Sequence, residues 1–230
     1  MNERIIQLSH LLQFSDATFP VGTFSFSNGL ETASYEKIVT DSDTLEQLCR
    51  SAAHQAAFSD GVTALQAFRA AVAGDYDRIT AVDHELILFK MNDEARMMLT
   101  RMGKKLAELA GKMFSSSLIS RWLEDIRADR TPGTYPVAQG LVFAHASLTE
   151  EDLFTSHQYG VINMILGASL RCVRVSHYDT QEILYRLAQE IPVLYEQARQ
   201  MEFKDMNAFV PQMDILASLH EKGSMRMFMN

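Results

Sequence analysis

Apolar residues recur at helical spacing along most of this chain. Ile5, Leu8 and Leu12, with Ile6 and Leu11 beside them, mark one face of a helix that ends near Ser15-Asp16, ahead of Pro20. From Leu45 the period runs through Leu48, Ala52 and Ala56, then Val62, Leu65, Phe68 and Val72, and stops at Gly74. That pattern predicts one long helix, or two broken near Gly61, with Asp43-x-x-Glu46 as its capping box. Further helices are expected over 75–90 and 94–113. Gly103 interrupts the second of these. A glycine inside an exposed helix costs about 1 kcal/mol relative to alanine, so it is best tolerated where a neighbouring helix comes close.

The second half continues in the same way. Ser117 is placed to cap a helix carrying Leu118, Ile119, Trp122, Leu123 and Ile126, and the turn-rich run Asp129 to Thr134 ends it. Pro136 starts a helix that reaches Ala146. Thr149-x-x-Asp152 opens the next, whose Val161, Ile162, Ile165, Leu166 and Ala168 predict burial on most sides. Asp179-x-x-Glu182 heads another and Pro192 kinks or ends it; Pro211 suits the first turn of a last helix, stopped by Gly223. About nine or ten helices and no secure strand predict an all-α protein, a single-domain bundle over 1–230. If substructures divide anywhere, it is at 129–135.

One stretch departs from this pattern. Thr23 to Ser27 alternates aromatic and hydroxyl residues with the period of a strand, and Asn28-Gly29 is a favoured hairpin turn. A lone two-stranded hairpin is marginal in water, and no third strand is in sight. A loop that runs into a helix cap is the expected outcome. Pro20 and Gly22 shape the backbone, Ser27 or Asn28 caps the helix, and Asn28 with Glu31 makes a capping-box variant.

Composition narrows the class. Hydrophobic residues at 47% and charged residues at 22% are ordinary globular usage, which excludes disordered and fibrous chains. The net charge of −8, from 29 acidic and 21 basic residues, argues against a nucleic-acid partner. No apolar run approaches the roughly 20 residues of a membrane helix, and no secretory apolar segment follows Met1, so a cytoplasmic protein with no membrane contact is expected. Cys49 and Cys172 belong to no C-x-x-C pair and read as buried free thiols. The 13 methionines fit either adaptable core filler or a plastic surface that meets partners.

Signatures of chemistry are missing. Gly103-Lys104 and Gly111-Lys112 lack the upstream glycine and the following hydroxyl of a P-loop. There is no H-E-x-x-H, and the seven histidines stand singly, in structural or solvated roles. Asp83-His84-Glu85 spreads its polar groups around a helix and makes a poor ligand set. Gly22 to Phe26 is not a nucleophile elbow. No catalytic residue and no metal ligand is assigned, and a protein that is not an enzyme is expected. The rival reading is a helical-bundle enzyme or small-ligand-binding protein, with its ligand between helices near His84 and Glu85 or around Met102.

The odd stretch also carries a resemblance. Pro20-Val21-Gly22-Thr23-Phe24-Ser25-Phe26-Ser27-Asn28-Gly29-Leu30-Glu31 resembles the P-V-G-x-F-[SA]-[YF]-S-x-G-L-E signature of the UreF family of urease accessory proteins. Glu94-Ala95-Arg96 with Met102-Gly103 is similar to that family's E-x-R and M-G, and Tyr135-Pro136-Val137 with Gly140 to its Y-P-V-x-x-G. His220-Glu221 followed by Arg226-Met227-Phe228 resembles its H-E-x-x-x-x-R-L-F. The chain departs from the family pattern at Ser176 to Asp179 and at Gly223 to Met225.

The resemblance implies a non-catalytic, all-helical, homodimeric protein. Its partners would be UreD (also called UreH), the GTPase UreG and apo-urease, between which it would couple GTP hydrolysis to nickel insertion. It would bind no cofactor directly, nickel and GTP being handled by the partner complex. Partner contacts are expected at Pro20, Gly22, Phe24, Ser27, Gly29 and Glu31, at Tyr135, and at Arg226, Met227 and Phe228 in a tail, 224–230, that is mobile in the chain alone and docks on UreD.

Overall fold

The computed structural model describes residues 2–207, 210–221 and 227–228, with the side chains of Asn2, Phe24 and Glu221 outside that description. Its helices are α1 (Asn2–Ser15), α2 (Leu30–Tyr35), α3 (Ser42–Ala56), α4 (Val62–Ala73), α5 (Tyr76–Leu88) and α6 (Asp93–Met113). They continue with α7 (Ser117–Arg127), α8 (Tyr135–His145), α9 (Glu150–Cys172), α10 (His177–Ala188), α11 (Ile191–Ala198) and α12 (Pro211–Glu221). No strand occurs among the described residues, and no helix there is long and apolar enough to cross a membrane. A π-helical turn, Ala57–Gly61, joins α3 to α4, so the break expected near Gly61 is a change of helical type within one rod. Counting that rod once, ten helices among the described residues have seven residues or more, in line with the nine or ten expected.

Helix starts are set by caps, and several lie just upstream of the predicted ones. Asp41, not Asp43, caps α3: the Thr44 N–H donates to its Oδ1 at 3.0 Å, and the Asp41 N–H donates to Thr44 Oγ1 at 3.2 Å. Glu46, predicted to complete that cap, instead lies 2.7 Å from Arg50 and 2.8 Å from Arg186, tying α3 to α10. Ser176 caps α10 with Asp179 reaching back to its N–H at 2.7 Å, and Ser116 caps α7. An acidic residue one turn into a helix fits the sequence pattern as well as one at its start. Only the extended backbone of the true cap, φ −150° at Asp41, marks the boundary. At α9 the predicted Thr149–Asp152 capping box is present.

Three apolar clusters share α9 as their spine. Leu153 enters the first, Phe154 the third, and Ile162, Ile165 and Leu166 the second, so the predicted burial on most sides is borne out. The first cluster holds Trp122 and Phe143 and centres on the crossing of α4 with α8. A Cβ added at Gly140 would stand 2.8 Å from Ala64 O and Phe68 N, so only glycine lets the two backbones come this close. The second cluster joins α2, α3, α10 and α12 to α9. The apolar face predicted on α1 is exposed at Ile5, Ile6, Leu8 and Leu12; Leu11 packs half-buried against the first cluster and Phe14 is buried in it.

The run 129–135, read from the sequence as a division between substructures, is a tied loop. Asp83 on α5 is fully buried and accepts four hydrogen bonds from it: Thr131 Oγ1 at 2.6 Å, Gly133 N–H at 2.8 Å, and the Thr134 N–H and Oγ1 at 2.9 and 2.6 Å. These bonds satisfy the carboxylate in a place water does not reach. They also hold the start of α8 against α5. Gly223, predicted to stop α12, lies outside the described residues.

Candidate functional site

The segment from Phe19 to Glu31 folds as a loop that feeds a helix. Phe19 N–H donates to Asp16 O, Gly22 takes φ +95°, and Thr23–Ser25 forms a single 3-10 turn where the alternation suggested a strand. Asn28 and Gly29 both have positive φ, 52° and 80°, the pair of angles a hairpin turn would use. Here they swing the chain directly into α2, so the loop-and-cap expectation holds. The cap itself is Gly29, with no side-chain bond. Ser27 Oγ accepts the Glu31 N–H at 3.5 Å, and the capping box expected between Asn28 and Glu31 does not form.

Glu31 is turned away from its own helix end because it has stronger partners. His220 on α12 is buried, with Nε2 3.0 Å from Glu31 Oε2 and Nδ1 2.9 Å from Glu94 Oε2. Each ring nitrogen thus faces a carboxyl oxygen, so His220 ties α12 to α2 and to α6 at once. Two more donors reach Glu31: the Met227 N–H at 2.8 Å and the Phe228 N–H at 3.1 Å. Burial pushes the Glu31 carboxyl up, but the bonds from His220, Met227 and Phe228 more than offset this and hold it below the ordinary carboxylate value.

The last described residues therefore fold back on the chain. Phe228 is buried in the second cluster, with the Arg171 guanidinium 4.7 Å from its ring centroid. Met227 beside it is exposed, as are Pro20 and Gly22 on the loop. Gly29 abuts α12, where an added Cβ would meet Leu216 Cβ at 3.3 Å. Arg226 lies outside the described residues, and the side chain of Phe24 outside the description. Tyr135 is the first residue of α8, half-buried, and burial pushes its hydroxyl pKa up.

Four separated sequence segments thus converge. Glu31, Glu94 and His220 meet at one point, and Gly103 of α6 receives the backbone of Gly133 and Thr134, next to Tyr135. Glu94 and His220 are not among the residues singled out from the sequence. The signal for them is their membership of matched segments, and reading each histidine singly hides it. Both nitrogens of His220 are occupied by carboxylates, and no group of three or more His, Cys, Asp and Glu side chains able to hold a metal ion occurs among the described residues. Of the places suggested for the rival enzyme reading, His84 borders an open depression with Arg101, Lys104 and Asp129 that Glu85 does not line; His84 is exposed, and its Nδ1 lies 2.9 Å from Thr80 O of its own helix. Met102 borders a cavity together with Asp60, Lys90 and His157.

These features define a class: an all-α protein whose buried polar groups clasp its own distant segments together. The UreF family model matches residues 39–188. Over 223 residues the chain is 46% identical to a protein of Brucella canis named urease accessory protein UreF 2, covering 97% of this chain and 92% of the other. It is 43% identical over 223 residues to the urease accessory protein UreF of Yersinia pseudotuberculosis and 42% to that of Yersinia enterocolitica, covering 97% of this chain and 98% of each relative. The chain belongs to the UreF family of urease accessory proteins.

Proposed function

We propose that this chain does no bond-making of its own and acts as an adaptor in urease maturation, bridging UreD/UreH and the GTPase UreG and coupling GTP hydrolysis to nickel insertion into apo-urease. The observation that carries the reading is the similarity to named urease accessory proteins over 97% of the chain. An adaptor affects a GTPase only by favouring one of its nucleotide states, so the coupling is differential binding. Nickel and GTP stay with the partners, the chain pairs with a second copy, and it works in the cytoplasm.

In this reading the loop and the last residues face the partners. Pro20, Gly22 and Met227 supply exposed surface, while Ser27, Gly29, Glu31, Tyr135 and Phe228 hold the shape that presents it. Phe24 and Arg226 are assigned to the same surface, the latter by pairing an acidic group. Met227 and Phe228 release their hold on Glu31 when UreD binds.

Co-expression with UreD and UreG tests the proposal. A defined three-component complex at micromolar concentration, with UreG turnover altered by this chain, is the expected result. Separate elution of all components, or substrate turnover by this chain alone, overturns it. Truncation after Gly223 should weaken UreD binding; unchanged affinity removes the tail from the docking surface.

A further inference from the structure

A cavity of about 100 Å³ lies between the α3–α4 rod, α6, α8 and α9, bordered by Asp60, Lys90, Met102, Tyr135, Gln139 and His157. His157 is 5% exposed, and its Nδ1 lies 2.8 Å from Gln139 Oε1. An amide oxygen only accepts, so Nδ1 carries the proton; burial lowers the ring pKa to about 4 and keeps the imidazole neutral. Nε2 is then a lone pair, and it meets no donor among the described residues. Asp60, in the π turn, is 6% exposed and receives Ser59 Oγ at 2.9 Å and Lys90 Nζ at 2.5 Å, both on Oδ2. Its Oδ1 is left as a second acceptor.

Charge and size restrict what fits. Lys90 neutralises Asp60 and His157 is uncharged, so neither a cation nor an anion is favoured over a neutral molecule. The volume is well under the roughly 300 Å³ at which ordinary substrate pockets begin. It suits about three waters at roughly 30 Å³ each. A buried lone pair with no donor is costly, and a small donor beside it removes that cost.

We propose that this cavity is a binding site for a small neutral hydrogen-bond donor, filled in aqueous solution by a cluster of about three waters that bridges His157 Nε2 to Asp60 Oδ1. Thr23 and Asn28 of the signature loop border the same space, which therefore lies between that loop, the π turn and α9. The inference stands on the chain's own geometry and is independent of any partner.

A high-resolution crystal structure of the full chain tests it. Discrete solvent peaks within hydrogen-bond distance of His157 Nε2 and Asp60 Oδ1 are expected, and xenon-pressurised crystals should leave the space unlabelled. Xenon density there, or no solvent peak at Nε2, overturns the proposal. In solution, long-range proton–nitrogen spectra at neutral pH should show His157 as the Nδ1–H tautomer; the other tautomer or an imidazolium overturns it. His157→Gln, which keeps an acceptor, should retain a solvent peak that His157→Leu loses; identical density in the two variants counts against it. If either variant fails to fold, the tautomer measurement on the unaltered chain still decides.

Discussion

Glu31 and His220 stand 189 residues apart in the chain and 3.0 Å apart in the fold. The contact joins α2 to α12, and through Met227 and Phe228 it fixes the last described residues to the first part of the chain. Glu31→Gln keeps the shape and removes the charge. It should lower stability by about 1.5–3 kcal/mol, the range for hydrogen bonds to charged groups. Urea unfolding measures the loss, and faster hydrogen exchange at the Met227 and Phe228 amides would localise it. Unchanged exchange at those amides would mean that Glu31 does not hold them.

The same contact sets a pH response. The folded pKa of Glu31 is depressed below its ordinary 4.5, so its contribution is fully present above that value and is lost as pH falls through the folded pKa. Protection of the Met227 and Phe228 amides should therefore be flat above about pH 5 and decline in more acidic solution. A decline already complete at pH 6 would contradict this assignment.

His157 predicts a second acid-side loss in a different window. Its folded pKa of about 4 lies below the ordinary 6.5, so the unfolded chain binds the proton first and stability falls as pH drops from 6.5 towards 4. The full effect is on the order of 3 kcal/mol, since each unit is worth about 1.4. Asp60 and Lys90 face the ring, and Asp60, held below the ordinary carboxylate value by the neighbouring Lys90 despite its burial, stays ionised across this range. His157→Gln should flatten the dependence of the urea midpoint between pH 6.5 and 4.5; the same slope in the variant would assign it elsewhere.

Asp83 anchors the loop before α8 with four accepted bonds. Asp83→Ala strands four buried donors, and a loss of about 2–4 kcal/mol is expected, larger than for a typical surface change. A drop below about 0.5 kcal/mol would mean that solvent replaces the carboxylate, as on an exposed loop.

Gly103→Ala pits two effects against each other. Alanine is the better helix former by about 1 kcal/mol. Its Cβ, however, would stand 2.1 Å from Gly133 O and 2.5 Å from the Thr134 carbonyl carbon, both backbone. Overpacking of this kind costs about 1–3 kcal/mol or more, so net destabilisation is expected in thermal unfolding. A stabilised variant would mean that the loop moves aside at little cost.

The all-α class was legible because long amphipathic periods dominate the chain, and α9 and the α3–α4 rod were readable from their apolar positions. Glycine 103 was readable too, as a position of close approach, although the neighbour is the loop entering α8 rather than a helix. Helix starts were less legible, since Asp41 and Asp43 satisfy the same spacing rule and differ only in backbone angle. The destination of Glu31 was not legible at all, because its partners come from residues 94, 220, 227 and 228 and no local pattern encodes that meeting. The exposure of α1 was equally hidden: Ile5, Leu8 and Leu12 have the right spacing for burial, and only the position of α9 decides which side of α1 is covered.

The π turn at 57–61 makes the rod from α3 to α4 behave like a keyed shaft. A π turn takes one residue more than an α turn for about the same rotation, so if Ala57–Gly61 ran on as regular α-helix with no residue removed, one half would twist against the other by the roughly 100° that a single α-helical residue adds. Leu45, Leu48 and Ala52 could keep their seat in the second cluster, or Ala64 and Ala67 theirs in the first, but not both together. The extra residue and the π geometry are therefore retained or lost together: either one alone unseats half of the rod.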